Sequence, residues 1–328
     1  MLLAVLLFVV GLACLIFGGD WFVDGAVGLA HKFKIPELLI GATIVSIGTT
    51  LPEVMVSATS AVSGHGEIAY GNAVGSIICN TALIAALTFA IKPGTVDKKS
   101  LRIPVLFFFI SAAFYMVIAY VCNGFDRWTG IVLLIVFVVY MIICIKQSVS
   151  VNTMPDVTNE EEMEEREEEK HTPLWKDILL LVVGAALIAV GARLLVDNGT
   201  IIARELGVPE SVIALTFVAL GTSLPELVTA ITSLVKGHGA ISVGNICGAN
   251  LFNLVLVSGV SITIAPFGLP AEKLIGGMNA SLIIDLPLMA IVMLILTIPT
   301  LISGKMLRSQ GIVLLLIYAG FCVFQFAF

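Results

Sequence analysis

The stretch "GTTLPE", Gly48 to Glu53, returns 173 positions later as "GTSLPE", Gly221 to Glu226. The same offset carries further without a gap. Pro36-Glu37 matches Pro209-Glu210, "SGHG" at Ser63 to Gly66 matches "KGHG" at Lys236 to Gly239, Gly71-Asn72 matches Gly244-Asn245, and Asn80 matches Asn253. From Thr43 to Asn80, 18 of 38 positions are identical to their partners, and Val23-Asp24 recurs as Val196-Asp197. This is an internal duplication, so whatever one half folds into, the other must fold into as well.

Both copies lie in apolar surroundings. Hydrophobic residues make up 59% of the chain, charged residues 12%, and the mean hydropathy is +1.08, where a soluble domain is about 25% charged. Ten segments are apolar enough to cross a bilayer core of about 30 Å: Leu2–Leu29, Pro36–Val62, Ile68–Ile91, Ile103–Val121, Trp128–Ile145, Leu174–Leu195, Pro209–Val235, Ile241–Ile264, Gly277–Ile298 and Gly311–Phe328. The expected fold is an all-α integral membrane protein of ten transmembrane helices. Residues 1–146 form one five-helix repeat, 147–173 a linker, and 174–328 the second repeat. Five is odd, so the second copy must enter the membrane inverted. Inverted repeats of this kind build many secondary transporters, with the substrate site where the repeats meet.

The linker contains "NEEEMEEREEEKHT", and nine of the 23 acidic residues fall between Asp156 and Glu169. Such a run stays solvated. It lacks the glycine and alternating Asp/Asn of an EF-hand loop. With the N-terminus outside, the inward connections carry 13 Lys and Arg and the outward ones 4. The positive-inside rule therefore expects both termini outside the cell membrane and the linker in the cytoplasm. No Lys or Arg precedes the first apolar run, which reads as a span rather than a signal peptide. Cys14, Cys79, Cys122, Cys144, Cys247 and Cys322 lie in or at the ends of spans with no CxxC pairing, which indicates neither zinc nor a disulfide framework. His65 and His238 read as turn residues. Asp24, Asp197 and Asp285 suit either span ends or an ion vestibule.

A charge at the centre of a spanning helix costs on the order of 2.5–3.5 kcal/mol, and an intramembrane Glu is a functional hypothesis by default. Glu53 and Glu226 occupy identical frames in the two halves. Proline removes a backbone donor and pushes the preceding residue out of the helical region, so each motif is expected to break its helix. The freed carbonyls are tolerated only where buried in protein or lining a cavity. Beside them stand the hydroxyls of Thr49, Thr50, Thr222 and Ser223. The second motifs, "GNAVGSIICN" and "GNICGANLFN", add Asn72, Ser76 and Asn80, then Asn245, Asn250 and Asn253. The whole set is oxygen, as hard cations such as Ca²⁺ and Na⁺ require. Two carboxylates also match one Ca²⁺ in charge.

These motifs resemble the two α-repeats of the sodium/calcium exchanger superfamily, the calcium/cation antiporters, in their compact prokaryotic form. By that resemblance, "G-T-S-x-P-E" and "G-S-N-x-x-N/D" segments form the ion site. Glu53 and Glu226 match its central glutamates. Thr49, Thr50, Ser76, Asn80, Thr222, Ser223 and Asn253 match ligands, and Ser46 and Ala219 would contribute backbone carbonyls. Two departures stand out: Ala249 where the family often has serine, and Asn253 where sodium-coupled members often have aspartate.

The reading is a secondary antiporter exchanging Ca²⁺ for Na⁺ by alternating access, with a proton-coupled or K⁺-dependent cation exchanger as the alternative. No resident cofactor, nucleic acid or obligatory protein partner is expected; the partners are the bilayer and the transported ions. A channel fits less well, because channels commonly build pores from symmetric subunits. No HExxH or nucleophile–base arrangement suggests an enzyme.

Overall fold

A computed structural model describes residues 1–150, 173–207, 221–270, 274–275 and 277–327. The acidic linker and the first part of the seventh expected span, including Ala219, lie outside the described residues. Lipid offers no partner for backbone N–H and C=O groups, so apolar spans must satisfy them internally as helices. The described helices are α1 Leu2–Phe33, α2 Glu37–Val62, α3 Gly66–Ile91, α4 Lys98–Cys122, α5 Arg127–Ser150, α6 Leu174–Glu205, α7 Leu224–Val235, α8 Gly239–Ile264, α9 Ser281–Ser303 and α10 Arg308–Ala327. Among the described residues, nine are long and apolar enough to cross a membrane. α7 is the described part of the remaining span.

Several helices outrun their expected spans. α1 continues past Leu29 until Lys34 turns left-handed at φ 53°. α6 continues past Leu195 and through Gly199 to Glu205, and Gly207 beyond it takes φ +76°. Asp24 and Asp197 are thus inside helices and not at their ends. His65 and His238 do fall at turns, as the residues preceding α3 and α8.

The breaker motifs behave differently from expectation in the first half. α2 stays helical through Pro52. A single proline deletes only one intrahelical bond, and neighbouring helices hold the rest in place. The irregularity lies upstream, where Gly41–Val45 forms a π-helical turn. In the second half Gly221 to Ser223 are in turn conformation and α7 begins at Leu224, with Pro225 in its first turn. Two further π segments start at the equivalent asparagines, Asn80–Ala85 in α3 and Asn253–Val257 in α8. Such bulges are frequent at functional sites.

The halves interlock reciprocally. α1 and α6 run antiparallel: a Cβ on Gly11 would lie 3.0 Å from the Gly191 carbonyl oxygen, and one on Gly18 would lie 3.0 Å from that of Gly184. Gly184 and Gly191 are themselves the 173-residue partners of Gly11 and Gly18, so each contact is the other's image under a two-fold. Removing side chains lets the backbones close to this distance. The pattern repeats in the loops. Strand β1 Gly124–Phe125 pairs with β2 Phe267–Gly268, placing Gly124 opposite Gly268. An isolated bridge joins Thr95 to Lys305. Gly268 follows Thr95 by 173 residues and Lys305 follows Gly124 by 181. A short hairpin, β3 Leu274–Ile275 with β4 Met278–Asn279, precedes α9.

Two apolar cores result. One gathers Leu15, Phe22, Val23, Val27, Ile40 and Ile188 around the α1–α6 pair. The other joins α3, α4, α5, α8, α9 and α10 through residues such as Ile77, Phe108, Tyr140, Phe252 and Met289.

Candidate ion-binding site

The four motif segments converge between these cores. Glu53, Thr50, Ser46, Asn80, Glu226 and Asn253 are each 0% exposed, and Thr49, Ser76 and Ser223 are also buried. Thr222 is half-buried. Glu53 and Glu226, 173 residues apart, lie within electrostatic reach of each other, and Thr49 approaches the Glu226 carboxylate without a regular hydrogen bond.

α8 is pressed onto α2 by its glycines: a Cβ on Gly244 would lie 2.1 Å from the Leu38 carbonyl oxygen, and one on Gly248 2.3 Å from Ser46 Oγ. This closeness allows polar contacts. Thr49 Oγ1 donates to Asn245 Oδ1 at 3.1 Å, and Ser46 Oγ donates to the Asn245 carbonyl at 3.0 Å and to the Gly41 carbonyl at 2.7 Å. The Gly41 bond fits the π turn, since Ser46 lies five residues on. Within the first half, Asn72 Nδ2 donates to Ser57 Oγ at 2.8 Å and to the Glu53 carbonyl at 3.2 Å. Asn250 Nδ2 donates to Thr81 Oγ1 at 2.7 Å, joining α8 to α3.

The remaining site atoms are left over. Both carboxylate oxygens of Glu53 and of Glu226, both amide atoms of Asn80 and of Asn253, and the hydroxyls of Thr50 and Ser223 are buried without a hydrogen-bond partner in the protein. Buried polar groups are normally paired, and leaving one unpaired costs about 1–3 kcal/mol, more for charged groups. Among the described residues no three His, Cys, Asp or Glu side chains gather. The set is therefore two carboxylates with neutral oxygens, which suits hard cations and not zinc.

Ser57, Thr81 and Thr229 were not singled out by sequence reasoning. Ser57 stands one helical turn after Glu53, a spacing that could have flagged it. Thr229, three residues after Glu226, is buried with an unpartnered hydroxyl. Thr81 carried no such signal, because the residue after Asn80 projects from another side of the helix. Asp24 is bound to Lys236, and Asp197 pairs with Arg193 along its own helix. Asp285 is half-buried near the start of α9, where it accepts from Gln325 at 3.5 Å.

Two intertwined five-helix halves, with distorted helices bringing buried oxygens together where the halves meet, define a membrane transporter of cations. The chain matches the family described as sodium/calcium exchanger protein over residues 3–146 and 176–327. It belongs to that family. It is 37% identical to the inner membrane protein YrbG of Escherichia coli over 81% of each chain. It is 29% identical to the sodium/calcium exchanger MaX1 of Methanosarcina acetivorans over 98% of each. A solved structure of the sodium-calcium exchanger NCX_Mj, soaked with Na⁺ and Sr²⁺, superposes with a TM-score of 0.77 at 31% identity, covering 97% of each chain.

Proposed function

We propose that the protein is a secondary antiporter that exchanges Ca²⁺ for Na⁺ by alternating access. The observation that carries this reading is the set of unpartnered buried oxygens contributed by both halves at Glu53, Thr50, Asn80, Glu226, Ser223 and Asn253. One Ca²⁺ neutralises two carboxylates. Na⁺ needs oxygens more than charge, and the hydroxyls and amides supply them. The relatives named exchangers, and the Na⁺, Ca²⁺ and Sr²⁺ soaks of NCX_Mj, support the same substrates. Thr49, Ser76 and Thr222 and the carbonyls of Ser46 and Ala219 complete the proposed ligand set. Residues 1–146 and 174–328 act as the two repeats, with both termini outside the cell membrane.

A proton-coupled reading has one observation in its favour. Asn253 and Ala249 supply neither the charge nor the hydroxyl that sodium-coupled members often carry. Uptake of radiolabelled Ca²⁺ into proteoliposomes under imposed Na⁺, K⁺ and H⁺ gradients separates the two. Uptake driven by an outward Na⁺ gradient at constant pH is the expected result. Uptake driven by a pH gradient alone, and indifferent to Na⁺, replaces it with the proton reading.

A further inference from the structure

The two faces of the molecule are held differently. On the face bearing the α1–α2 and α7–α8 turns, α7 lies against α1. A Cβ on Gly19 of α1 would meet Val228 Cγ1 and Thr232 Oγ1 of α7 at 2.8 Å. One turn further, Lys236 caps α7. Its Nζ stands 2.7 Å from Asp24 Oδ1 and 3.5 Å from Asp20 Oδ1, and donates to the Asp20 carbonyl at 3.2 Å. Val228, Thr232 and Lys236 recur every four residues, so a single stripe of α7 covers α1.

The equivalent residues on the opposite face make no such seam. Met55 and Thr59 of α2 are the 173-residue partners of Val228 and Thr232, and both are exposed, Met55 by 65%. Lys236 corresponds to Ser63, which carries no charge, and Asp20 corresponds to Arg193. Asp24 corresponds to Asp197, whose 3.6 Å ion pair with Arg193 runs along α6 instead of across to α2. A small crevice, with room for about one water, lies where four helices meet, bordered by Ala185, Ile188 and Ala189 of α6, Gly48, Thr49 and Pro52 of α2, Phe22 of α1 and Pro225 of α7. Thr49 belongs to the proposed ion site, so this crevice reaches it. Among the described residues, the α1–α6 pair is thus fastened by an ion pair to α7 at one face, while the equivalent stripe of α2 is exposed at the other. Alternating access in inverted-repeat transporters rocks one such body against the rest around a fixed site.

We infer that Lys236 sets the asymmetry between the two faces of this exchanger. Its ion pairs with Asp24 and Asp20 latch the α1–α6 pair onto α7, close the site to the face of the α7–α8 turn, and favour the state open to the other face. The inference rests on the exchange reading above. Duplication made the two faces equivalent, and the Lys236/Ser63 difference makes them unequal. An ion pair as exposed as this one shifts such a population by about twofold to fivefold.

The test exchanges the latch between faces in the full-length protein. Hydrogen-exchange mass spectrometry reads opening at residues 228–239 and at 55–66. Flux in membrane vesicles of known sidedness reads the ratio of half-saturating Ca²⁺ at the two faces. Lys236→Ser should raise deuterium uptake at 228–239 and shift the ratio by about twofold to fivefold. Ser63→Lys should lower uptake at 55–66 by supplying a cation opposite Asp197. The double variant should carry the ratio further in the same direction than Lys236→Ser alone, and Lys236→Arg should keep the wild-type ratio. Unchanged uptake and ratio in Lys236→Ser, or a double variant that matches it, overturns the latch. If Lys236→Ser does not fold, Ser63→Lys alone decides, and unaltered uptake at 55–66 refutes the inference. Hydrogen exchange requires no transport, so absence of Ca²⁺ flux in the wild type would sink the exchange reading and leave the latch to be judged separately.

Discussion

Thr49 of α2 donates its hydroxyl proton to the Asn245 side-chain oxygen of α8 at 3.1 Å. The two residues come from opposite halves of the chain. The bond fixes the hydroxyl that faces Glu226 using an amide from the second motif of the opposite repeat. Replacing Asn245 by Ala removes this acceptor. One net hydrogen bond is worth about 1 kcal/mol, or about fivefold in affinity. The half-saturating Ca²⁺ concentration should rise by about that factor while saturating flux is largely kept. An unchanged half-saturation in initial-rate measurements would show that Thr49 is positioned by other means.

Glu53→Gln and Glu226→Gln should each abolish Ca²⁺ transport with the protein still correctly inserted. The amide keeps the shape and discards a charged ligand of the proposed divalent site. Near-normal exchange by either variant would displace the carboxylates from the centre of the mechanism.

Ala249→Ser should strengthen Na⁺ dependence. It restores a hydroxyl on α8 one turn before Asn253. The readout is a lower Na⁺ concentration for half-maximal Ca²⁺ efflux at fixed pH. An identical Na⁺ curve argues that this wall of the site does not contact Na⁺.

Equivalent glycines should differ sharply in tolerance. A Cβ on Gly244 would lie 2.1 Å from the Leu38 carbonyl oxygen, whereas one on its counterpart Gly71 meets nothing within 4 Å. Gly244→Ala must push α8 off α2, an overpacking of about 1–3 kcal/mol. Gly71→Ala should leave the thermal midpoint in detergent where it was. Equal midpoints for the two variants would contradict the packing described.

The acidic run from Asp156 to Glu169 should be dispensable for turnover. Its composition cannot bury a core. A Gly/Ser segment of equal length should sustain Ca²⁺ flux in the inserted protein, and complete loss of flux would assign the run a role in transport.

The duplication, the spans and the two motif pairs were legible because each is a local pattern with a physical cause: apolar length, proline chemistry, and carboxylates where lipid should be. Glu53 and Glu226 stood out for that reason. The course of α2 was not legible. Proline propensity predicts a break at Pro52, yet neighbouring helices hold the backbone and move the distortion to Gly41–Val45. Asn245 was visible as a motif residue, but its tie to Thr49 depends on how closely Gly244 and Gly248 let two helices approach. Nor could Lys236 be matched with Asp24, since 212 residues separate them and only the folded arrangement of α1 and α7 brings them together.

The reciprocal packing has a consequence for biosynthesis. α5 rests on α8, where a Cβ on Gly130 would come within 2.6 Å of the Thr263 backbone nitrogen, and Arg127 caps the end of α8 through the Thr263 and Ile264 carbonyls. α10 in turn rests on α3, where a Cβ on Gly311 would come within 2.5 Å of the Ala86 carbonyl oxygen, and Arg308 reaches the Ile91 carbonyl. As the ribosome delivers the chain, α3 and α5 enter the bilayer before α10 and α8 exist. Each must wait in lipid with a surface shaped for a helix not yet made. The first five helices are consequently an assembly intermediate and not a finished unit, and the ion site closes only when the later helices dock.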